Sequence, residues 1–503
     1  MNKNKQQCLL GIDIGTGSSK GVLTKADGSI LAVAVVQHET KASEQGHFEH
    51  DAEAIWIHDC KQLIKELLKK SKIEASEISG IAFSAIGPCV LPVDEFGAPL
   101  CPAILYGIDT RAQAQIDELN ARYGEAYILS HCGNALSSQA AGPKILWIRQ
   151  NRPEIFCKAR YFMTASSYLV FRLTGRVCMD YYTAGAGYTP LFDYKNLCWD
   201  PDICAELGCQ GKLPELLWSS ERAGFVTSHA AEEFGLAEGT PVCTGTCDAA
   251  AEAVSVGVVE HGQTMLMLGS TAFIISVQQK PVFDERLWSA PWLFPNTWAL
   301  LGGMSCAGML TQWFVDQYWR EGIDDSEEKL LTELANEAEK VAPCADGLIA
   351  LPYFCGERTP LNDPNAKGVL FGLTLKHTRG HLYRAFLESV ACGIRHNFEV
   401  MNECGCHISH VRSVGGGTKN RLWLQIISDV TNVPQSLNKV TFGACYGDAW
   451  MAALSNGLLP EKQAQSKWDA TEATVEPDSG HTGDYHRLYC RFRELYNTLK
   501  GMM

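Results

Sequence analysis

Asp13-Ile14-Gly15-Thr16-Gly17-Ser18-Ser19-Lys20 joins a carboxylate at the end of an apolar run to small residues, hydroxyls and a cation. Such a tight turn lets backbone N–H groups approach phosphate oxygens, and a strand-end carboxylate can hold a hydrated Mg2+ beside them. The segment is not a Walker loop, because the G-x-x-x-x-G-K-[ST] spacing is missing. Taken alone it reads more readily as a glycine-rich hairpin. Gly269-Ser270-Thr271 repeats the motif between two apolar runs, Thr264–Leu268 and Phe273–Val277, which makes an internal duplication a candidate.

Asp248, in Gly245-Thr246-Cys247-Asp248-Ala249-Ala250-Ala251, follows a strand-like run and precedes an Ala-rich helical one. In isolation it reads as a helix N-cap. The chemical alternative is a general base for a hydroxyl nucleophile. Gly415-Gly416-Gly417-Thr418-Lys419-Asn420 follows another strand-like run, and a glycine triplet there either presents a flat surface to an adenine ring or relieves a crowded turn. Gly443–Ala449 opens a helix rich in small residues, suited to close packing. Pro352–Pro360 holds Glu357 and Arg358 between two prolines and reads as a salt-bridged turn or a cleft loop.

These residues need elements to hold them. Cys8–Ile12, Lys20–Leu23 and Ile30–Val36 read as strands, with Asp27-Gly28 as a turn. Ala52–Lys70 has apolar residues at helical spacing, and Ile78–Phe83 is a buried strand. Strands mixed with helices predict an α/β architecture. The 503 residues exceed one ordinary core, so two domains are expected. Forty-three Lys and Arg stand against 57 Asp and Glu, a net charge of -14 that repels nucleic acid and anionic membranes, so a phosphate ligand must be held locally. Twenty scattered cysteines lack paired C-x-x-C elements and are expected as reduced thiols, and Cys404, Cys406 and His407 are expected to pack rather than ligate. Without an apolar signal core or a run of 18 apolar residues, the expectation is a cytoplasmic protein.

In order and spacing these segments resemble the FGGY carbohydrate kinases, most nearly the xylulokinase-like branch, over nearly the whole chain. Lys144-Ile145-Leu146-Trp147-Ile148-Arg149-Gln150-Asn151 resembles the family's first signature. Gly368–Leu373, continuing through His381 and Leu382 to Ala385 and Glu388, resembles its second; Ala141 and Phe386 depart from the usual residues. The resemblance implies two actin-like (ribonuclease H-like) lobes, residues 1–253 and 254–503, with ATP and Mg2+ in the cleft between them. It implies that Asp248 is the catalytic base and Asp13 the residue near the metal. Gly15, Thr16, Ser18, Ser19 and Lys20, with Gly269, Ser270 and Thr271, would form paired phosphate hairpins. Gly415, Gly416, Gly417, Thr418 and Asn420 would meet the adenosine. The sugar would lie near Ser84, Ala85, Ile86, Asp109, Arg111 and Asp248. The partners implied are a small sugar and ATP, with neither nucleic acid nor membrane, and a homodimer is the assembly entertained.

Two departures bear on the substrate. Ser84-Ala85-Ile86-Gly87 stands where xylulokinases usually carry a Met-His pair, and Ala249 stands where Asn often follows the catalytic Asp. A site built to pair a hydroxyl discriminates strongly and an apolar one does not, so another ketose or polyol is the alternative to xylulose. His47 also stands where the family usually has Trp. An actin-like ATPase without a sugar substrate is the rival from a different functional class.

Overall fold

The computed structural model describes residues 7–318, 327–440, 442–459 and 467–503. Its first strand, Cys8–Ile14 (β1), is buried at every position, as a continuous apolar run must be when both faces of its sheet are covered. β1 turns at Gly15–Gly17 into Ser18–Lys25 (β2), its antiparallel partner, which pairs in turn with Ile30–Gln37 (β3). On its other edge β1 lies parallel to Ile78–Ala85 (β4). Arg222–Phe225 (β5) and Pro241–Cys243 (β6) complete the order β5-β6-β4-β1-β2-β3. The helix His58–Ser71 presents Leu63, Ile64 and Leu67 to this sheet, and a Cβ on Gly21 of β2 would stand 2.9 Å from Leu67.

A second sheet is built on the same plan. Thr264–Leu268 (β7) and Ala272–Gln278 (β8) form an antiparallel hairpin around Gly269–Thr271, followed by Trp298–Met304 (β9), Val411–Val414 (β10), Gln435–Asn438 (β11) and Thr471–Val475 (β12), in the order β9-β8-β7-β10-β11-β12. In the first sheet β1 pairs antiparallel with β2 and parallel with β4, β4 is parallel to β6, and β6 antiparallel to β5. In the second, β7 pairs antiparallel with β8 and parallel with β10, β10 is parallel to β11, and β11 antiparallel to β12. The echo of the two Gly/Ser/Thr turns is thus one part of a repeated topology.

The chain forms two compact units, Met1–Val259 with Gln279–Ala299 and Val440–Ala470, and Glu260–Gln278 with Leu300–Lys439 and Thr471–Met503. These are discontinuous, whereas the sequence reading divides the chain once, at 253/254. The late segment matters for the first unit. Its helix Ala444–Ser455 packs on helix Asp248–Ser255 so closely that a Cβ on Gly447 would stand 1.9 Å from the carbonyl oxygen of Ala251. No two of the described cysteines form a disulfide, and Cys406 packs against Ser276 and Gln278 by hydrogen bonds. Among the described residues no helix is long and apolar enough to cross a membrane.

Candidate functional site

The first unit gathers four carboxyl groups from three elements. Asp13 sits near the end of β1, opposite Ser84 of β4 in the parallel register. Asp248 is the first residue of its helix, behind Cys247 at the N-cap position, and its Oδ1 accepts from the N–H of Ala249 at 2.7 Å. Glu252 lies one turn further on the same helix and so shares its face. Asp448 arrives from helix Ala444–Ser455, where its Oδ2 accepts from Ser84 Oγ at 2.7 Å; Ser84 Oγ is also 3.4 Å from Asp13 Oδ1.

Burial pushes the Asp13 carboxyl up to about 8, Asp248 and Glu252 add to this by repulsion, and Lys20 opposes it. Burial raises Asp248 to about 6 against the Ala249 hydrogen bond. It raises Glu252 to about 7, with Lys20 pulling down and Asp248 pushing up. Asp448 is driven well above the usual carboxylate range by burial, and its Oδ1 has no hydrogen-bond partner among the described residues. Grouped carboxylates with raised proton affinity suit a divalent cation or a proton-accepting role.

The turn before Asp248 is rigid. Gly245 has φ of 74°, and a Cβ there would meet the carbonyl oxygen of Phe83 at 2.1 Å. The buried Asp180 accepts from Thr246 Oγ1 at 2.8 Å and Ser219 Oγ at 3.0 Å, holding the strand that delivers Asp248. Sequence reasoning missed Asp180, Glu252 and the role of Asp448. Glu252 was detectable as the residue four positions after Asp248; the other two carry no local signal.

Asp448 yields a test. A carboxyl raised by the fold binds its proton more tightly folded than unfolded, so its contribution is fully present below the unfolded value of about 4 and is lost as pH rises. Asp448→Asn removes that loss and keeps an acceptor for Ser84. Its melting temperature should exceed that of the unsubstituted protein by several degrees at pH 8 and converge with it near pH 4. Equal melting temperatures at pH 8 would show that Asp448 carries no such burden.

The other expected residues of this unit fall in two groups. In the hairpin, Thr16 and Gly17 are exposed at the tip, and Ser18 and Lys20 alternate with Ser19. Ser19 is turned inward, donating to Asp59 Oδ2 at 2.7 Å. In the second group, Asp109 and Arg111 form one buried cluster. Asp109 Oδ1 accepts from Arg111 N at 3.1 Å and Nε at 3.0 Å, while Oδ2 accepts from Phe48 N at 2.7 Å and Arg111 Nη2 at 2.7 Å. Arg111 Nη1 reaches Glu49 at 2.9 Å, and the guanidinium lies 5.1 Å from the ring of Trp147, which His47 meets edge-on. Lys144 is fully buried and donates to the carbonyls of Leu105 and Ser138 at 2.7 and 2.6 Å; burial lowers its pKa to about 8. Ala85 and Ile86 are buried, and Ile86 N donates to Ile14 O at 2.8 Å. A Cβ on Gly87 would lie 3.0 Å from the ring of Tyr106.

In the second unit, the carbonyls of the Gly269–Thr271 turn are tied down by the start of helix Gly308–Tyr318. Gly308 N donates to Gly269 O at 2.9 Å, and Ala307 N and Met309 N donate to Ser270 O at 2.9 and 3.0 Å. The glycine triplet lies beside this hairpin: Gly415, with φ of 96°, would put a Cβ 2.6 Å from Leu268 O. Gly416 faces open space, since nothing lies within 4 Å of its Cβ position. Thr418 Oγ1 bonds Gly415 O at 2.7 Å, and Asn420 Oδ1 caps the helix Arg421–Thr431 by accepting from Trp423 N at 3.1 Å. Glu357 accepts from Ser305 N at 2.7 Å and from its neighbour Arg358 N at 2.7 Å. The Pro-flanked loop is therefore hydrogen-bonded to the end of β9, just before helix Gly308–Tyr318, and is not a free surface turn.

Residues 8–255 match the N-terminal domain of the FGGY family of carbohydrate kinases and residues 264–455 its C-terminal domain. A xylulose kinase of Bacillus subtilis (strain 168) is 28% identical over 501 residues, covering 98% of this chain and 97% of the relative. A gluconokinase of the same organism is 28% identical over 512 residues, 98% of this chain and 96% of the relative. The crystal structure of xylulose kinase from Rhodospirillum rubrum superposes with a TM-score of 0.90 at 29% identity, over 99% of both chains.

Proposed function

The chain belongs to the FGGY family of carbohydrate kinases, which transfer phosphate from ATP to sugars, and on that premise we propose a neutral open-chain ketose, a pentulose such as xylulose or a close relative, as its acceptor, with Asp248 as the base. The observation that carries the reading is the carboxylate cluster at the first hairpin. Phosphoryl transfer asks a protein mainly for positioning and charge neutralisation, so a weak base suffices. Asp248 at about 6 is largely ionised at neutral pH yet basic enough to accept the hydroxyl proton as the oxygen attacks. Asp13 and Glu252, both raised by burial and by neighbouring negative charge, are chemically suited to Mg2+, which when bound neutralises phosphate charge. Lys20 adds a cation to the same neighbourhood.

A neutral acceptor is favoured over a sugar acid because Arg111, the cation among the sugar-side residues, already has its guanidinium committed to Asp109 and Glu49. Asp109 in turn has both oxygens filled by protein donors, so the pair is read as a fixed support of the sugar site. Tyr106, packed on Gly87, supplies a ring near the place where the xylulokinase-like branch usually has an imidazole. The discriminating experiment is ADP release across pentuloses, hexuloses, pentitols, glycerol and gluconate. Turnover of a ketose supports the proposal; turnover of gluconate alone overturns the acceptor, and ATP hydrolysis indifferent to any sugar overturns the acceptor reaction itself.

The adenosine reading has its own test. Gly416→Phe fills the open space above the triplet, so KM for ATP should rise at least tenfold while KM for sugar stays within twofold. The reverse pattern would move the nucleotide elsewhere.

A further inference from the structure

The first hairpin is held from behind by a hydrogen-bond chain outside the residues so far given a role. Four consecutive carbonyls at the turn have donors. Ile14 O accepts from Ile86 N at 2.8 Å, and Gly17 O from His38 N at 3.2 Å. The His38 ring takes the next two, its Nε2 lying 3.2 Å from Gly15 O and 3.2 Å from Thr16 O. Thr40 Oγ1 adds a bond to Thr16 O at 2.6 Å. With these carbonyls held on one side, the turn is left to offer its N–H groups on the other; those of Thr16 and Gly17 meet no acceptor among the described residues.

Hydrogen-bond valence sets the protonation of both histidines. His38 Nε2 faces only carbonyl oxygens, and its Nδ1 lies 2.8 Å from Asp59 Oδ2. With Asp59 ionised none of these partners donates, so the bonding pattern is complete when both ring nitrogens carry hydrogen, the imidazolium form of His38. Its counter-charge is close by: the two side chains are 7% and 3% exposed. Burial works to raise the Asp59 carboxyl, but bonds from His38, Ser19 and His58 hold it below its ordinary value. His50, edge-on to His38 at 5.3 Å, is the neutral member, since its Nδ1 accepts from Trp56 Nε1 at 3.1 Å. Its Nε2 then donates to Thr40 Oγ1 at 3.1 Å, which leaves the threonine hydrogen for Thr16 O. Burial and the His38 charge together lower His50 to about 4.

The geometry points to His38 as a positioning residue: its imidazolium, anchored on Asp59 and assisted by Thr40 on His50, holds the Gly15 and Thr16 carbonyls back so that the turn presents N–H groups to a nucleotide phosphate. A neutral ring could donate to the hairpin or to Asp59, not to both. The inference rests on the reading of Gly15–Ser19 as a phosphate hairpin. It names what sets that hairpin's polarity, with phosphate as the anionic ligand class.

Steady-state kinetics of the full chain test it, with Gly17→Val as the control for the hairpin itself, because a Cβ at Gly17 meets nothing within 4 Å. Loss of a charge-assisted bond should raise KM for ATP about tenfold in His38→Ala and less in His38→Gln, which keeps one donor group, with KM for sugar within twofold. Thr40→Val, which removes one hydroxyl and keeps the shape, should raise KM for ATP a few-fold and serves if His38→Ala does not fold. Nitrogen-15 spectra of histidine-labelled protein at neutral pH should show one buried ring with both nitrogens protonated, a signal absent from His38→Gln. If Gly17→Val raises KM for ATP while the His38 and Thr40 variants leave it unchanged, or if His38 shows a neutral-ring pattern, the positioning role is overturned and the hairpin stands. If Gly17→Val also leaves KM unchanged, the phosphate hairpin falls, and this inference with it.

Discussion

Asp248→Asn is expected to lower kcat by roughly 10² to 10⁴ while the affinities for ATP and sugar stay within a few-fold. The amide is the same size as the carboxyl, and its oxygen can keep the 2.7 Å bond from Ala249 N–H. What it loses is the capacity to take a proton from the acceptor hydroxyl. Removing this charge also relieves the repulsion that raises Asp13 and Glu252, so binding has no reason to weaken. The unsubstituted protein should show kcat/KM rising with pH through about 6, because a base raised to that value is inactive while protonated. In Asp248→Asn that limb should vanish with the rate. A variant turning over at the original rate would remove Asp248 from the chemistry, whatever the rest of the site does.

Arg111→Met should have the largest effect on stability. It deletes the guanidinium from Asp109, a fully buried carboxylate whose partners are otherwise backbone N–H groups. Breaking a buried ion pair by removing one member costs about 3 to 5 kcal/mol, because the remaining charge is left without compensation. In a unit of this size that is a fall in melting temperature on the order of 10 °C. Glu49 and the face of Trp147 lose their partner as well, so KM for sugar should rise in whatever protein remains folded. Adding Asp109→Asn to Arg111→Met should restore part of the lost stability, since no buried charge is then stranded. A single variant melting within about 2 °C of the unsubstituted protein would show that water or another cation reaches Asp109.

Much of the architecture was legible because it is written in local patterns. The fully buried run Cys8–Ile14 and the helical spacing after Ala52 announce an α/β unit, and each Gly/Ser/Thr turn lies between two apolar runs. The duplication was visible only as an echo of two short turns. Its proof lies in strand order and direction, which join residues hundreds of positions apart.

The candidate site divides the same way. Side-chain chemistry near a glycine turn singled out Asp13, Asp248 and the glycine triplet, because small residues and a carboxylate at a strand end are a local arrangement. Which of the neighbouring polar groups face the ligand is a different question. Ser19 turns in to Asp59, Asn420 caps a helix, and Asp109 is filled by Arg111 and Phe48 N–H. Each choice depends on the partner that the fold brings within 3 Å or so. Asp448 is the extreme case: it stands 364 positions from Ser84 yet shares a hydrogen bond with it, because helix Ala444–Ser455 returns to the first unit.

The sequence by itself determined the family and singled out Asp13, Asp248 and the two Gly/Ser/Thr turns as candidates, since residue type and short spacing are local properties. Only the tertiary structure decided the burial that raises those acids, the saturation of Asp109 and the hydrogen bonds that His38 and Thr40 make behind the first turn. Burial and hydrogen-bond valence depend on neighbours that the chain supplies only by folding back on itself.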